Sequence, residues 1–281
     1  MLHKVIRDIA DPFEELLIEL GAPAYRGDSW ALYRGDCREL MSSMPRESID
    51  LTITSPPYNI GKEYEKIREI EDYIDWCVAW IADIHRVTNP VGSFWLNLGY
   101  LSLPQRAKAI PIPYLLWDRV PFYLLQEIVW NYGAGVASKK TFSPRNEKFL
   151  WYVKDENHYV FNLDSVRDPD VKYPNQKKNG KLRCNPIGKN PSDVWQFPKV
   201  TSGANRSSSE RMAHPAQFPL AVIARIILAS SGAGDILLDP FSGSGSLLDA
   251  ATRQGRFAIG FEIDRGYIDM AAKRLSQGLL V

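Results

Sequence analysis

The chain has 281 residues, 45% of them hydrophobic and 24% charged, with a formal net charge of +1. That balance suits one globular domain with a full core and room for a small inserted lobe, and it excludes a disordered or fibrous protein. No basic-then-apolar leader opens the sequence, and the apolar run at residues 220–231 is too short and contains Arg225, so a soluble, cytoplasmic protein with no membrane partner is expected.

In chain order, residues 31–34 and 49–54 read as strands separated by a helix through Leu40. A helix over 72–87 follows, then a strand over 93–98. Residues 123–130 and 149–153 are aromatic and β-branched and read as a closing pair of strands. From 164 to 212 the periodicity stops in a stretch rich in Pro, Asn, Ser, Gly and Lys, too long for an ordinary connection. An apolar helix over 219–231 leads to a strand at 236–239, a glycine-rich turn at 241–246, a helix at 247–253, a strand at 257–262 and a last helix at 267–275 that Asp264 could cap. The pattern predicts about seven strands alternating with helices, a doubly wound α/β sheet.

Cys37, Cys77 and Cys184 stand far apart in no CxxC arrangement, and His3, His85, His158 and His214 show no ligand spacing, so neither a disulfide framework nor a metal is expected. Charge is uneven. Between residues 171 and 206 stand Lys172, Lys177, Lys178, Lys181, Arg183, Lys189, Lys199 and Arg206 against Asp193 alone. A solvated loop is the ordinary reading of such a run; the aromatic residues among it, Tyr173, Trp195 and Phe197, make a phosphate-contacting surface its competitor.

Two motifs carry chemistry. The first, Asp239-Pro240-Phe241-Ser242-Gly243-Ser244-Gly245-Ser246, follows a strand and opens a helix. Its glycines let the backbone turn tightly and approach a ligand, while the helix start offers unpaired N–H groups. About twenty residues later the next strand ends in Glu262, where a carboxylate can accept both hydrogen bonds of a ribose diol. Leu248 stands where a dinucleotide fingerprint needs its third glycine, so an adenosine ligand without pyrophosphate fits better. The second motif, Ser55-Pro56-Pro57-Tyr58, ends the strand at 49–54. Two prolines stiffen it and remove two donors, leaving carbonyls beside a hydroxyl and a flat ring, at the strand end where open α/β sheets build sites; a mere rigid turn is the alternative.

SPPY together with DPFSGSGS resembles the amino-methyltransferase family of DNA-modifying enzymes, in the circularly permuted order called the β class, over about residues 32–275. Within that resemblance Gly35-Asp36 matches the adenine-contacting motif and the segment from His214 through Pro215, Ala216, Gln217 and Phe218 to Pro219 the one that closes over the methionine moiety. Asn146-Glu147-Lys148-Phe149 matches a segment near the target base. The resemblance implies S-adenosylmethionine as cofactor, held by Asp36, Cys37, Ser55, His214, Phe218, Asp239, Pro240, Phe241, Gly243, Gly245, Glu262 and Ile263. It implies a permuted Rossmann-like methyltransferase fold whose seven-stranded, mostly parallel sheet carries an antiparallel hairpin. Residues 1–163 and 212–281 would form two parts of one domain, with a target-recognition region at 164–211. Double-stranded DNA is the implied partner, contacted by Lys172, Lys177, Lys178, Lys181, Arg183, Lys189 and Arg206. A cognate restriction endonuclease is the implied functional partner, and a homodimer is allowed for.

The reaction implied is methylation of an exocyclic amine, with Ser55, Pro56, Pro57 and Tyr58 as the catalytic set acting on a base flipped from the duplex. Ser55 in place of the aspartate usual in adenine enzymes points to N4 of cytosine, with N6 of adenine as the alternative. Cytosine C5 chemistry needs a cysteine after a proline, and no Pro-Cys dipeptide occurs. A DNA-binding or regulatory protein with a decayed site is the reading from another class.

Overall fold

A computed structural model describes residues 11–62, 66–135, 137–200 and 210–278. The described residues open on α1 (Pro12–Leu20), which the sequence reading missed; Asp11 caps it by accepting from the Phe13 amide at 3.0 Å, and Phe13, Leu16 and Leu17 are buried. Then come β1 (Tyr25–Arg26), β2 (Trp30–Arg34), α2 (Cys37–Ser42), β3 (Ile49–Thr54), α3 (Ile70–Val87) and β4 (Thr88–Leu98). Next are the hairpin β5 (Tyr100–Leu103) and β6 (Ala107–Pro111), the short α4 (Pro113–Leu116), β7 (Tyr123–Asn131) and β8 (Asn146–Val153). The irregular stretch holds a 3₁₀ turn (Leu163–Val166), β9 (Lys177–Lys178), β10 (Lys181–Leu182) and β11 (Val194–Gln196). The described residues close with α5 (Leu220–Ser230), β12 (Ile236–Asp239), α6 (Ser246–Thr252), β13 (Phe257–Glu262) and α7 (Arg265–Gly278).

The main sheet has the order β1-β2-β13-β12-β3-β4-β8-β7-β11. Its interior is the seven strands expected from the sequence, parallel from β2 to β4 and antiparallel through β8 and β7. The count rises to nine because β1 and β11 add short edges. Those two segments carry no alternating run long enough to announce a strand. With β11, the irregular stretch rejoins the sheet before residue 211 instead of lying wholly outside it.

Side chains alternate across the sheet as the pleat requires. Phe94, Leu96, Ile259 and Phe261 face α1, α2 and α3, whereas Leu51, Ile53, Trp95 and Ala258 face α5, α6 and α7. Helix α3 buries Tyr73, Ile74, Cys77, Trp80, Ile81, Ile84 and Val87, the 3-and-4 spacing of one helical face. Burial of each such large apolar side chain contributes about 1.5–3 kcal/mol. Two helical layers thus clamp the sheet and fix where its strands end. Among the described residues no helix is long and apolar enough to cross a membrane.

Candidate active site

Strands β2, β13, β12, β3 and β4 are parallel, so their carboxyl ends lie along one edge of the sheet. That edge carries Asp36 after β2, Glu262 at the end of β13, Asp239 at the end of β12, Ser55 after β3 and Asn97 in the last turn of the pleat in β4. The antiparallel β8 brings its start, Asn146 and Glu147, to the same edge, and the end of β7 brings Trp130, with Tyr132 just beyond it. A cleft of about 1010 Å³ runs along it, enough for a nucleoside-sized ligand and a second flat one. Asp36, Cys37, Ser55, Pro56, Pro57, Tyr58, His214, Phe218, Asp239, Pro240, Phe241, Gly243, Glu262 and Ile263 all line it.

Gly245 does not line the cleft. With φ +72° it starts α6, and a Cβ there would stand 3.0 Å from the Ala271 Cβ, so this glycine serves the close packing of the turn on α7. Gly243 is different. It has φ +49°, and a Cβ on it would reach His214 Nε2 at 2.8 Å. The imidazole and the turn therefore close on one another across a gap that only glycine leaves. Behind the turn, Arg274 donates to Asp249 at 3.0 Å and to the Ser246 hydroxyl at 3.0 Å, and Arg253 also pairs with Asp249. These bonds hold the turn from its protein side.

Glu262 accepts from the Gly243 amide at 2.9 Å and the Asp264 amide at 2.8 Å, one bond to each oxygen. A carboxylate has about four acceptor positions, so two remain for a ligand diol. Burial raises its pKa, which the backbone donors partly offset. Asp239 is buried and pushed up to about 7 by burial, with a further push from the Glu262 charge. It accepts from Thr54 Oγ1 at 2.7 Å and from the Phe241 amide at 3.1 Å, so it joins the strand that leads to Ser55 with the turn that follows β12. Burial lowers His214 to about 4, and its Nδ1 accepts from the Ala216 amide at 3.2 Å, which leaves the proton of the neutral ring on Nε2. Asp36 caps α2 by accepting from the Arg38 amide at 2.8 Å, and burial pushes the Cys37 thiol up to about 12, so Cys37 is no nucleophile. Phe218 packs on Phe149 and Trp130, with ring centres 5.8 and 6.3 Å away.

Around SPPY the structure brings together Asn97 and Lys199, whose place here the sequence reading missed, and Glu147, which lies in the segment that the resemblance put near the target base. Ser55 Oγ donates to the Tyr58 hydroxyl at 2.9 Å, and Tyr58 donates to Asn97 Oδ1 at 2.6 Å, with Glu147 Oε2 at 3.3 Å. Asn97 spends its own donor on the Lys148 carbonyl at 3.0 Å. Tyr73 donates to the Pro57 carbonyl at 2.9 Å. Gly99 lets the Tyr58 ring lie flat against the chain, since a Cβ would stand 2.8 Å from it. Lys199 pairs with Glu147 and lies over the rings of Tyr132 and Trp130, at 4.0 and 5.6 Å. One signal for Asn97 was available: an amide interrupts the apolar run Phe94-Trp95-Leu96 and Leu98 that ends β4.

The basic stretch divides. Lys172, Lys177, Lys178, Lys181 and Arg183 are exposed, the middle three on the β9–β10 hairpin. Lys189 pairs with Asp168 at 3.1 Å, and Arg206 lies outside the described residues. Trp195 is core, 5.8 Å from Trp95 and covered by Arg225, so it offers no surface to a base or phosphate, and of the three aromatic residues only Tyr173 is exposed.

Residues 49–273 match the model of the N6/N4 DNA methylase family. The chain is 64% identical to the type II methyltransferase M.ScaI of Streptomyces caespitosus, over 91% of this chain and 84% of that protein. It is 36% identical to the DNA adenine methyltransferase YhdJ of Escherichia coli K12, over 89% of this chain and 84% of that protein. Its fold is similar to that of the cytosine-N4-specific PvuII DNA methyltransferase, with TM-score 0.71 and 22% identity over 91% of this chain and 93% of that one. It is also similar to M1.HpyAVI in complex with SAM, with TM-score 0.60 and 24% identity over 88% of this chain and 98% of that one.

Proposed function

The chain belongs to the N6/N4 DNA methylase family, and from that membership we propose that it methylates N4 of cytosine in duplex DNA. It is a DNA methyltransferase whose cofactor is S-adenosylmethionine, which supplies an electrophilic methyl group on a sulfonium. The cleft fits that cofactor: Gly243 leaves the gap a side chain would fill, Ser242 Oγ is buried with no hydrogen-bond partner among the described residues, and Glu262 keeps acceptor positions for a ribose. Asp36, His214, Phe241 and Glu262 would hold it.

The cytosine amine is a weak nucleophile because its lone pair is delocalised into the ring. An acceptor for its hydrogens draws that pair out of conjugation as nitrogen becomes tetrahedral. Ser55 Oγ has committed its proton to Tyr58 and so presents lone pairs to the amine. The Pro57 carbonyl is taken by Tyr73, which leaves that of Pro56 as the second acceptor. Tyr58 lines the cleft as a surface on which a flipped ring can stack as positive charge develops. The exposed lysines of the β9–β10 hairpin, within the proposed target-recognition stretch, would contact phosphates. The type II name of the 64% relative supports a cognate endonuclease as functional partner.

The observation that carries cytosine is Ser55 itself, a short neutral acceptor where an adenine site gains from a carboxylate; the N4-specific fold relative agrees. Adenine N6 is the second reading, favoured by the 36% relative named for adenine. Mass spectrometry of nucleosides from DNA treated with the enzyme separates them. N4-methylcytosine is expected, and N6-methyladenine in its place would remove the cytosine assignment.

A further inference from the structure

The amine must lose a proton, and Ser55 is too weak a base to keep it. We propose that this proton comes to rest on Glu147, passed through the hydroxyls of Ser55 and Tyr58, and that Lys199 holds the receiving carboxylate in place. The proposal rests on the amine-methylation reading above and adds its missing acceptor.

Hydrogen-bond directions carry the argument. Ser55 donates to Tyr58, so the relay is already polarised away from the substrate position. The Tyr58 hydroxyl reaches Asn97 Oδ1 at 2.6 Å and Glu147 Oε2 at 3.3 Å. Asn97 is an amide turned by its bond to the Lys148 carbonyl; it orients the hydroxyl but cannot keep a proton. Glu147 can. Rotation of one O–H bond takes Tyr58 from the first oxygen to the second. The carboxylate's other oxygen is fixed by Lys199, itself held over the face of Tyr132 at 4.0 Å. Burying a carboxylate charge without such a partner costs several kcal/mol, and Lys199 supplies that partner to Glu147. The groups that face it are Lys199, Tyr58, Tyr132 and Tyr100, while neighbouring Lys148 is engaged by Glu127 at 3.2 Å.

The step balances. The nitrogen lone pair forms the N–CH₃ bond as the carbon–sulfur bond breaks, leaving positive charge on a nitrogen that still carries two hydrogens. One of these passes to Ser55 Oγ, the serine proton to Tyr58 Oη, and the tyrosine proton to Glu147 Oε2. Both hydroxyls are regenerated, the product is a neutral N-methyl amine, and the glutamic acid later releases its proton to water beside Lys199. A methylated exocyclic amine that has lost conjugation is a strong acid, so an ordinary carboxylate suffices to take its proton. Glu147 acts through Tyr58 and is a positioning and proton-accepting residue, not one that touches the base.

The test is Glu147→Gln, which keeps shape and an acceptor oxygen but no basicity, studied in a single turnover with enzyme in excess over unmethylated phage DNA and cofactor saturating. Methyl transfer should slow by about 100-fold or more, with cofactor affinity unchanged, and the pH profile should lose one ionisation that the wild type shows on its acid side. A rate within about threefold of wild type, or a slow variant whose pH profile keeps the wild-type shape, would overturn the relay. If Glu147→Gln fails to fold, Tyr58→Phe decides: it keeps the ring and removes the relay hydroxyl, and a wild-type rate there overturns the proposal equally. Wild-type enzyme that leaves no methylated amine on that DNA would instead sink the functional reading, so the two failures are distinct.

Discussion

The cleft and the β9–β10 hairpin lie in one chain and are built on opposite terms. In the cleft, Asp239, Glu262 and His214 accept from backbone amides and Ser55 is tied to Tyr58, while burial shifts the acid–base properties of the first three. On the hairpin, Lys177, Lys178 and Lys181 stand in water on two strands of two residues each. The first region has one arrangement that a single lost atom disturbs. The second works by accumulated charge, in which no side chain is individually needed.

That contrast can be broken or sharpened in four ways. Ser55→Ala should leave cofactor binding unchanged and slow methyl transfer by about 100-fold or more, ~3 kcal/mol in barrier, in single-turnover measurements. Retained speed would show that the hydroxyl does not orient the amine. Glu262→Ala should weaken cofactor binding by roughly 1.5–3 kcal/mol through loss of charged hydrogen bonds, read by calorimetric titration.

The third concerns pH. Burial pushes Asp239 up to about 7 from the ordinary carboxylate range, so the native state binds the extra proton and this group makes stability fall as pH rises from about 4 to 7. His214, lowered from 6.5 to about 4, acts in the opposite sense, raising stability as pH climbs from about 4 to 6.5. The two slopes oppose each other in the wild type. Asp239→Asn should therefore add a rising slope of about 1 kcal/mol per pH unit in that window, measured by denaturant unfolding at several pH values; an unchanged slope would mean that Asp239 is ionised throughout. The smallest effect belongs to the hairpin. Replacing Lys177, Lys178 and Lys181 with alanine should weaken DNA binding modestly and flatten the slope of log Kd against log salt by up to about 3. An identical slope would return the segment to a solvated loop.

The same contrast explains what could be read from the sequence. Pro56, Pro57, Gly243 and the acid ending β13 are recognisable because backbone constraint demands those residue types at fixed spacing, and strand periodicity placed them at one edge. The surroundings of the Tyr58 hydroxyl were only partly readable: the resemblance put Glu147 near the target base, but Asn97, which meets the same hydroxyl, and Lys199, which pairs with Glu147, come from other parts of the chain that only the sheet order β3-β4-β8, with β7 and β11 beyond, brings together. Lys199 was counted with the basic run because a lysine's neighbours, not its identity, decide whether it meets solvent or a glutamate. Trp195 misled for the same reason: a tryptophan amid prolines and lysines looks exposed until β11 pairs with β7 and turns it into the core.

The hydrogen bond from Thr54 to Asp239 spans 185 positions of sequence, and its consequence lies in the order of synthesis. Strands β2 and β3 are made early but are not sheet neighbours; β13 and β12, made last, insert between them. Until residue 262 has left the ribosome the nascent sheet has two open inner edges and no closed central region, so folding waits on its most distant contacts, a route that favours slow, all-or-none assembly. A chain cut short before β12 would carry SPPY intact and yet have no partner for Thr54, no turn for the cofactor and no catalytic geometry, so an incomplete product cannot act on DNA.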